Sequence, residues 1–258
     1  MAFVSPRIRK LQERDATILG VARDLFLSDG YYGLTMERIG AQCGVSKGTI
    51  YHYFSCKEEI VIALADLSLR RRTELMRRGI EFAGNTRERM LALGEAVCLF
   101  SQLNPGDSRI IHSAMGPLRE KTPPLRLQSL IHAEQEELGT LRSVIEEAQR
   151  HGDLELRYGT TVDEILFGTW GLVDGAYALI EGGVPKTSLS LEDPFDSVLR
   201  FWNSAADGYG WRPLSCDWDY AASLIRVRQE MFPEESRLVF GEGVWHGPVR
   251  ALDAAAEK

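Results

Sequence analysis

The sequence predicts an all-α protein. Apolar residues recur at helical spacing along most of the chain, and no segment shows the sustained alternation that a β-sheet requires. Clusters of Gly, Pro and Asn divide the periodic segments into helices of ordinary length. With 258 residues, 44% hydrophobic and 26% charged, the composition is typical of a globular protein with one large domain or two smaller ones.

The N-terminal part contains short helices with clear start and stop signals. Gly30 is suited to end the first helix in the left-handed conformation, and Thr35 and Ser46 are suited to cap the second and third. The first four predicted helices are 15–28, 35–43, 47–53 and 57–78.

Longer helices are predicted beyond the Gly84-Asn85 break. They cover 87–103, 107–117, 124–150, 161–181 and 192–207. Residues 208–258 differ from the rest because Gly, Pro and aromatic residues are concentrated at their start. Within them a helix is expected over 219–231, followed by an irregular tail from Glu234.

The net charge of -7 is unevenly distributed. Residues 1–78 hold 13 Lys and Arg against 9 Asp and Glu, a net charge of +4, whereas the remaining 180 residues carry -11. This asymmetry favours contact with a polyanion at the N-terminal end. Consecutive residues of a helix point in different directions, so the triplet Arg70, Arg71 and Arg72 does not form a single basic patch. A solvated face or outer phosphate contacts are expected for these residues.

Several classes of protein are disfavoured. Four irregularly spaced cysteines predict reduced thiols, no disulfide framework and no metal site. The chain has no apolar run of membrane-spanning length, and its first residues lack a signal-peptide core, so we expect a cytoplasmic protein. No nucleophile elbow, P-loop, dinucleotide fingerprint or zinc-protease motif is present, which predicts that the chain is not an enzyme and carries no cofactor.

The segment from Thr35 to Lys57 predicts a helix-turn-helix, in which the second helix enters the DNA major groove. Two short helices meet at a turn that contains Gly44. The second helix begins with polar residues, where backbone N–H groups and the helix dipole favour a phosphate. Gly48 has no side chain, so it would allow a close approach to the groove.

Residues 12–62 resemble the TetR-type bacterial transcriptional regulators. The residues that carry the resemblance are Ile18, Ala22, Phe26, Gly30, Tyr31, Thr35, Ile39, Gly44, Val45, Ser46, Gly48, Tyr51, Phe54, Lys57 and Glu58. The resemblance implies a three-helix DNA-binding domain (1–57) and a helical ligand-binding and dimerisation domain (58–207), with 57–78 as the connecting helix. Residues 208–258 then form an extension of unknown role.

The resemblance also implies which residues face double-stranded DNA. They are Thr35, Ser46, Lys47, Gly48, Thr49, Tyr51, His52, Tyr53 and Lys57. The family positions of Thr35, Tyr53 and Lys57 mostly hold phosphates, and those of Lys47, Gly48, Thr49 and Tyr51 lie nearest the bases. From the residues alone, Tyr51 fits packing between helices as well as contact with DNA, whereas Phe54 is expected in the core.

A homodimer is expected because one helix-turn-helix reads few base pairs. In the family the last two helices of the common body pair with their symmetry mates. The expected interface residues here are Ile165, Trp170, Val173, Tyr177, Val198, Phe201 and Trp202, with a simple core role as the alternative.

A small hydrophobic or amphipathic effector is expected to bind the body and release the protein from a pseudo-palindromic operator. The candidate pocket residues are Cys98, Phe100, His112, Met115, His132 and Phe167. By family habit a repressor is expected, with an activator, or an adapter whose helix-turn-helix does not read DNA, as alternatives.

Overall fold

Helices account for the fold of the computed structural model, which describes residues 6–156 and 159–241 and side chains from Glu13 onward. Within these ranges no strand is present. The helices are α1 (Pro6–Gly33), α2 (Met36–Gln42), α3 (Lys47–Tyr53), α4 (Lys57–Ile80), α5 (Thr86–Leu103), α6 (Pro105–Ser113), α7 (Pro124–His151), α8 (Val162–Glu181), α9 (Val184–Thr187), α10 (Pro194–Gly208), α11 (Tyr220–Glu230) and α12 (Pro233–Phe240), with a 3₁₀ turn at Arg119–Lys121. The all-α prediction is confirmed.

The structure corrects some predicted helix ends. Helix α1 continues to Gly33, although Gly30 interrupts its helical geometry with φ 70° and ψ -176°. The helix predicted over 107–117 corresponds to α6, which begins at Pro105 and already ends at Ser113, before Gly116 with its positive φ of 96°. The irregular tail expected from Glu234 is wrong as far as Phe240, because Pro233 supplies a favourable first residue for α12. The rest of that predicted tail, 242–258, lies outside the described residues.

The chain divides into two compact units, Met1–Leu69 with Gly106–Glu134, and Arg70–Pro105 with Gln135–Lys258. These units are defined by contacts and therefore join segments that are distant in sequence. The predicted domain boundaries, 1–57 and 58–207 with an extension, follow the chain order and remain a prediction.

The first unit has an apolar core from the first three helices. Ile18, Phe26, Ile39 and Ile50 are buried there. Polar contacts add to the unit: Asp107, itself buried, accepts hydrogen bonds from Arg23 Nε at 3.1 Å and Ser68 Oγ at 3.0 Å.

The second unit is organised around α5, which packs against α10, α11 and α12. Arg87 of α5 is fully buried. Its guanidinium donates to the backbone oxygens of Trp211 (2.9 Å), Pro213 (2.9 Å) and Asn203 (2.7 Å) and to Asp207 Oδ1 (2.6 Å). These bonds satisfy carbonyl groups of the segment after α10, so that segment is an integral part of the second unit.

A second buried charge joins α5 to α11. Arg228 donates to Glu95 through Nε at 2.6 Å and Nη2 at 3.3 Å, and both side chains are buried. Burial raises the pKa of Glu95 even though Arg228 opposes that shift. On the same helix, Glu88 accepts hydrogen bonds from Ser223 Oγ (2.7 Å) and Trp218 Nε1 (3.3 Å).

Candidate nucleic-acid interface and cavity

Side-chain caps define the starts of α2 and α3. Thr35 Oγ1 accepts from the N–H of Arg38 at 3.3 Å, and Ser46 Oγ accepts from that of Thr49 at 3.1 Å. Gly44 occupies the turn between the helices with φ +65°. At Gly40 an added Cβ would lie 3.0 Å from the Val45 backbone oxygen, so glycine permits the close packing of α2 on the turn.

The predicted DNA-facing residues lie on the accessible surface of this helix pair. Thr35, Thr49, Tyr53 and Lys57 are partly exposed, and the others are exposed: Ser46, Lys47, Gly48, Tyr51 and His52. Tyr51 is 46% exposed, whereas Phe54 at the end of α3 is 1% exposed. Of the two roles that the sequence left open for Tyr51, the exposed position agrees with contact at the surface better than with packing between helices. Phe54 belongs to the core, as expected.

Lys47 lies at the start of α3 and forms an ion pair with Glu37 of α2. Its ammonium group also lies 5.6 Å from the centroid of the Tyr51 ring. Both partners of the ion pair are about half exposed, at 51% and 58%, so the pair contributes little to stability. Lys47 can exchange this partner for another anion at small cost.

Lys57, at the start of α4, is held against Tyr31. Its Nζ donates to the Tyr31 backbone oxygen at 3.0 Å and lies 3.9 Å from the centroid of the Tyr31 ring. The Tyr31 hydroxyl in turn donates to Glu58 Oε1 at 2.6 Å. Burial opposes ionisation of Glu58, but the hydrogen bond from Tyr31, a backbone hydrogen bond, one from Cys56 and the charge of Lys121 together lower its pKa. An ammonium has three N–H donors, so the bond to Tyr31 orients Lys57 while leaving donor capacity.

The family model for "Bacterial regulatory proteins, tetR family" matches residues 18–64, which include α2, the turn, α3 and the start of α4. The segment with the helix-turn-helix therefore has the sequence pattern of the TetR family. The matched segment contains every residue of the predicted DNA-facing set. The resemblance drawn from the sequence is thereby confirmed.

Curated relatives match different lengths of this chain. The HTH-type transcriptional repressor AcnR of Corynebacterium jeikeium is 35% identical over 65 residues, which are 25% of this chain and 34% of that protein. This chain thus spans about a third of the length of AcnR. The Fatty acid metabolism regulator protein of Bacillus subtilis is 25% identical over 173 residues, covering 63% of this chain and 86% of the relative. Both relatives are regulators by name.

Solved structures share the fold over most of the chain. A protein with unknown function from Rhodococcus sp. RHA1 has a TM-score of 0.58 at 21% identity and covers 78% of this chain and 94% of its own. The TetR family transcriptional regulator PfmR from Thermus thermophilus has a TM-score of 0.53 at 18% identity, with coverages of 71% and 93%. The comparison therefore supports a common helical architecture.

A cavity of about 80 Å³ lies in the second unit, walled by parts of α4, α5, α7, α8 and α10. Its lining is mostly apolar, and its charged members are Arg72, Glu137 and Asp174. Since one water-sized group needs roughly 10–15 Å³ on this measure, the cavity has room for a small molecule. Along 6–156 and 159–241, none of the helices is both long and apolar enough to span a lipid bilayer.

The predicted pocket residues are not brought together. Cys98 lines the cavity, and burial raises the pKa of its thiol well above the usual value. Phe100 is buried outside the lining, and Phe167 is 81% exposed. The others belong to the first unit: His112, Met115 and His132. Of the helices that carry these residues, α5, α7 and α8 do line the cavity, whereas α6, which holds His112, does not.

The residues predicted for a dimer interface have different surroundings in the single chain. Ile165 is buried and Phe201 is 64% exposed. The remaining five line the cavity: Trp170, Val173, Tyr177, Val198 and Trp202. Helix α8 thus has one face toward the cavity and another, with Phe167 and Leu179, that is exposed.

The sequence did not predict an ion pair in the cavity wall, since the two roles expected for Arg72 were a solvated face or outer phosphate contacts. Arg72 is buried, and it donates to Glu137 through Nε at 3.0 Å and Nη2 at 2.7 Å. Thr73 Oγ1 donates to the same carboxylate at 3.4 Å. Glu137 lies 65 residues beyond Arg72, so no local sequence pattern predicts the pair.

Proposed function

We propose that the chain is a ligand-responsive DNA-binding transcriptional repressor. It binds a pseudo-palindromic operator as a homodimer, and a small hydrophobic or amphipathic effector releases it. The observation that carries the proposal is the exposed α3 face, on which Lys47, Gly48 and Tyr51 lie together beside well-capped helix starts. A repressor is favoured over an activator because the similar AcnR protein is named a repressor.

The helix pair supports two kinds of DNA contact. Side chains on the α3 face, such as Thr49 and Tyr51, are suited to reading base edges, because the second helix of this motif enters the major groove. Lys57, held beside Tyr31, is suited to a phosphate, because an ammonium acts as a point charge with several donors.

The exposed faces of α8 and α10 support the dimer. Phe167 and Leu179 are exposed on α8, and Phe201 is exposed on α10. Between the first two lie Gly171 and Gly175, where an added Cβ would meet nothing within 4 Å. Large apolar side chains beside small residues allow helices of a second copy to approach closely, and a two-fold axis matches the symmetry of an inverted repeat.

Helix α4 offers a route for effector control. Its first residue, Lys57, belongs to the proposed DNA face, and Arg72 and Met76 further along line the cavity. A ligand that binds better to a conformation with misplaced recognition helices must lower DNA affinity by the same coupling free energy, typically about 1–3 kcal/mol.

The first test selects fragments of the source genome with the purified full chain and sequences those retained. A shared inverted repeat is expected, with affinity that falls steeply as salt is added, because phosphate contacts release counterions. An adapter protein would retain little DNA and would show no sequence preference, and that result would overturn the proposal.

Two variants then separate the proposed roles on the selected DNA. Thr49→Ala is expected to reduce discrimination between the operator and its single-base variants. The expected loss of discrimination is about 1–3 kcal/mol at the base pair that Thr49 reads. Lys57→Ala is expected to weaken binding nearly equally on all sequences and to reduce the salt slope by about one. Equal losses on every sequence for both variants would contradict the assignment.

A further inference from the structure

A carboxylate lies on the surface that is proposed to face DNA. Glu37, in the first turn of α2, is exposed and forms an ion pair with Lys47, the first residue of α3. The Lys47 ammonium also lies 5.6 Å from the centroid of the Tyr51 ring. Lys47 and Tyr51 are one turn apart on α3, so the ion pair lies on the same exposed side of that helix as Tyr51. The DNA-facing set predicted from the sequence contains Lys47 but not Glu37.

A carboxylate is unfavourable on such a surface by itself, because phosphates repel it. The hydrogen bond from Lys47 is the main cause that lowers the pKa of Glu37, so this side chain carries a negative charge at neutral pH. If Lys47 left the pair for a phosphate, Glu37 would face the polyanion without this cation beside it. An arrangement in which both groups stay together and bind the same part of the DNA avoids that repulsion.

The base edges in the major groove offer partners for both members of the pair. A carboxylate accepts from the N4 amino group of cytosine, and an ammonium donates to O6 and N7 of guanine. In a G·C pair these two acceptors lie next to each other, and the amino group lies beside them at one end. In an A·T pair the amino group lies between two acceptors, adenine N7 and thymine O4, and both repel a carboxylate. One carboxylate and one ammonium held side by side therefore match G·C better than A·T.

We propose that Glu37 is a specificity-determining residue, which reads one G·C base pair of each half-site jointly with Lys47. Glu37 accepts a hydrogen bond from cytosine N4, and Lys47 donates to guanine O6 or N7. This inference rests on the proposed function, because it names a base pair within the proposed operator. It gives α2 a part in base recognition in addition to its packing against α3.

The test uses the inverted repeat that the full chain retains, with each base pair of its half-sites replaced in turn. Fluorescence anisotropy measures the affinities. We expect one G·C position at which A·T, with adenine in place of cytosine, lowers the affinity about ten-fold or more. An inosine·cytosine pair at this position should bind like G·C, because it keeps the same major-groove groups and lacks only the amino group of guanine in the minor groove. A loss with inosine as large as that with A·T would contradict reading in the major groove.

Glu37→Gln assigns this position to the pair. The amide of glutamine suits adenine, to which it both donates and accepts, so the variant should bind the A·T version at least as tightly as the G·C version. Discrimination at the other positions should stay within two-fold. Affinity for unrelated DNA should rise several-fold, because a negative charge is removed from the surface that faces the phosphates. Unchanged base preferences at every position would overturn the proposal.

Glu74→Gln is the matched control. Glu74 is also exposed and also forms an ion pair, with Arg77 at 3.2 Å, but it lies in α4 outside the helix-turn-helix. This variant makes the same change of charge and should keep the preference for G·C. A loss of that preference as large as in Glu37→Gln would refute the assignment to Glu37. The ratio of affinities for two DNA sequences does not depend on the fraction of chain that is folded, so a change of stability cannot imitate the expected result.

The outcomes keep this inference distinct from the proposed function. A retained inverted repeat with the same base preferences in Glu37→Gln and in the unmodified chain would refute reading by Glu37 and leave the regulator intact. Failure to retain any shared sequence would refute the regulator and this inference together.

Discussion

At the scale of a single residue, a substitution of Gly48 is expected to change stability and DNA affinity in opposite directions. Gly48 lies inside α3, and an added Cβ would meet only Ser46 Oγ, at 3.7 Å. Gly48→Ala is therefore expected to stabilise the fold by up to about 1 kcal/mol, because alanine favours helix. DNA affinity is expected to fall at least ten-fold, because the methyl group stands on the face that is proposed to approach the groove. Urea unfolding and fluorescence anisotropy with the selected DNA measure the two effects.

Gly20 provides the matched control for Gly48. It is an exposed glycine in α1, and an added Cβ there would meet nothing within 4 Å. Gly20→Ala should bring a similar gain in stability with no change in DNA affinity. A Gly48→Ala variant that binds DNA as tightly as this control would remove Gly48 from the interface.

At the scale of the element, α5 depends on charges that are buried against the C-terminal helices. Arg228→Met would leave Glu95 buried without its guanidinium partner, since their bonds measure 2.6 and 3.3 Å. We expect a loss of about 3–5 kcal/mol in the free energy of unfolding, and a much smaller loss in Arg228→Met combined with Glu95→Leu, because removing both charges leaves neither unpaired. Chemical denaturation of the two single variants and the double variant measures this.

The pH dependence of Arg228→Met has a defined sign. Burial raises the pKa of Glu95 above its usual 4.5 already in the intact pair, and removing Arg228 raises it further. A raised pKa in the folded state favours folding at low pH, and this contribution is lost as pH rises through the folded-state value. The loss in the free energy of unfolding that Arg228→Met causes should therefore become smaller as pH falls toward 4.5. A loss of stability that does not change with pH would contradict this account. So would a loss in the double variant as large as that in Arg228→Met.

The elements themselves were predictable because their signals are local. Helix starts at Thr35 and Ser46, and the turn at Gly44, lie within a few residues of the contacts that form them. The DNA-facing set could be predicted from the sequence because it occupies one short segment that also carries the family resemblance, and its contacts with DNA stay a prediction.

The cavity and the buried charges were not predictable, because they depend on partners that are distant in sequence. Arg72 meets Glu137 65 residues later, and Arg87 meets Trp211 124 residues later. Helical spacing restricts which residues share a face, but it does not say which face packs inward. Trp170 and Phe167 on α8 illustrate this, since the residue expected at an interface lines the cavity and the one expected in the pocket is exposed.

At the scale of the whole molecule, the proposed dimer and the proposed operator must share one symmetry. In a two-fold interface each substitution occurs twice, once from each copy, so one charge on the exposed apolar face has a doubled effect. Phe201 is 64% exposed in the single chain, so its replacement should cost the fold little. Its substitution therefore tests assembly and not folding.

Phe201→Glu is expected to convert the dimer to monomers at micromolar concentration, because two carboxylates would be brought together in an apolar contact. Affinity for the inverted repeat should fall about 100-fold or more, since the second half-site no longer benefits from a high effective concentration. Affinity for an isolated half-site should stay unchanged. Leu238→Glu makes the same change at a 75% exposed apolar residue of α12 and should preserve the dimer. If Phe201→Glu sediments as a dimer, as Leu238→Glu is expected to do, the interface lies elsewhere on the molecule.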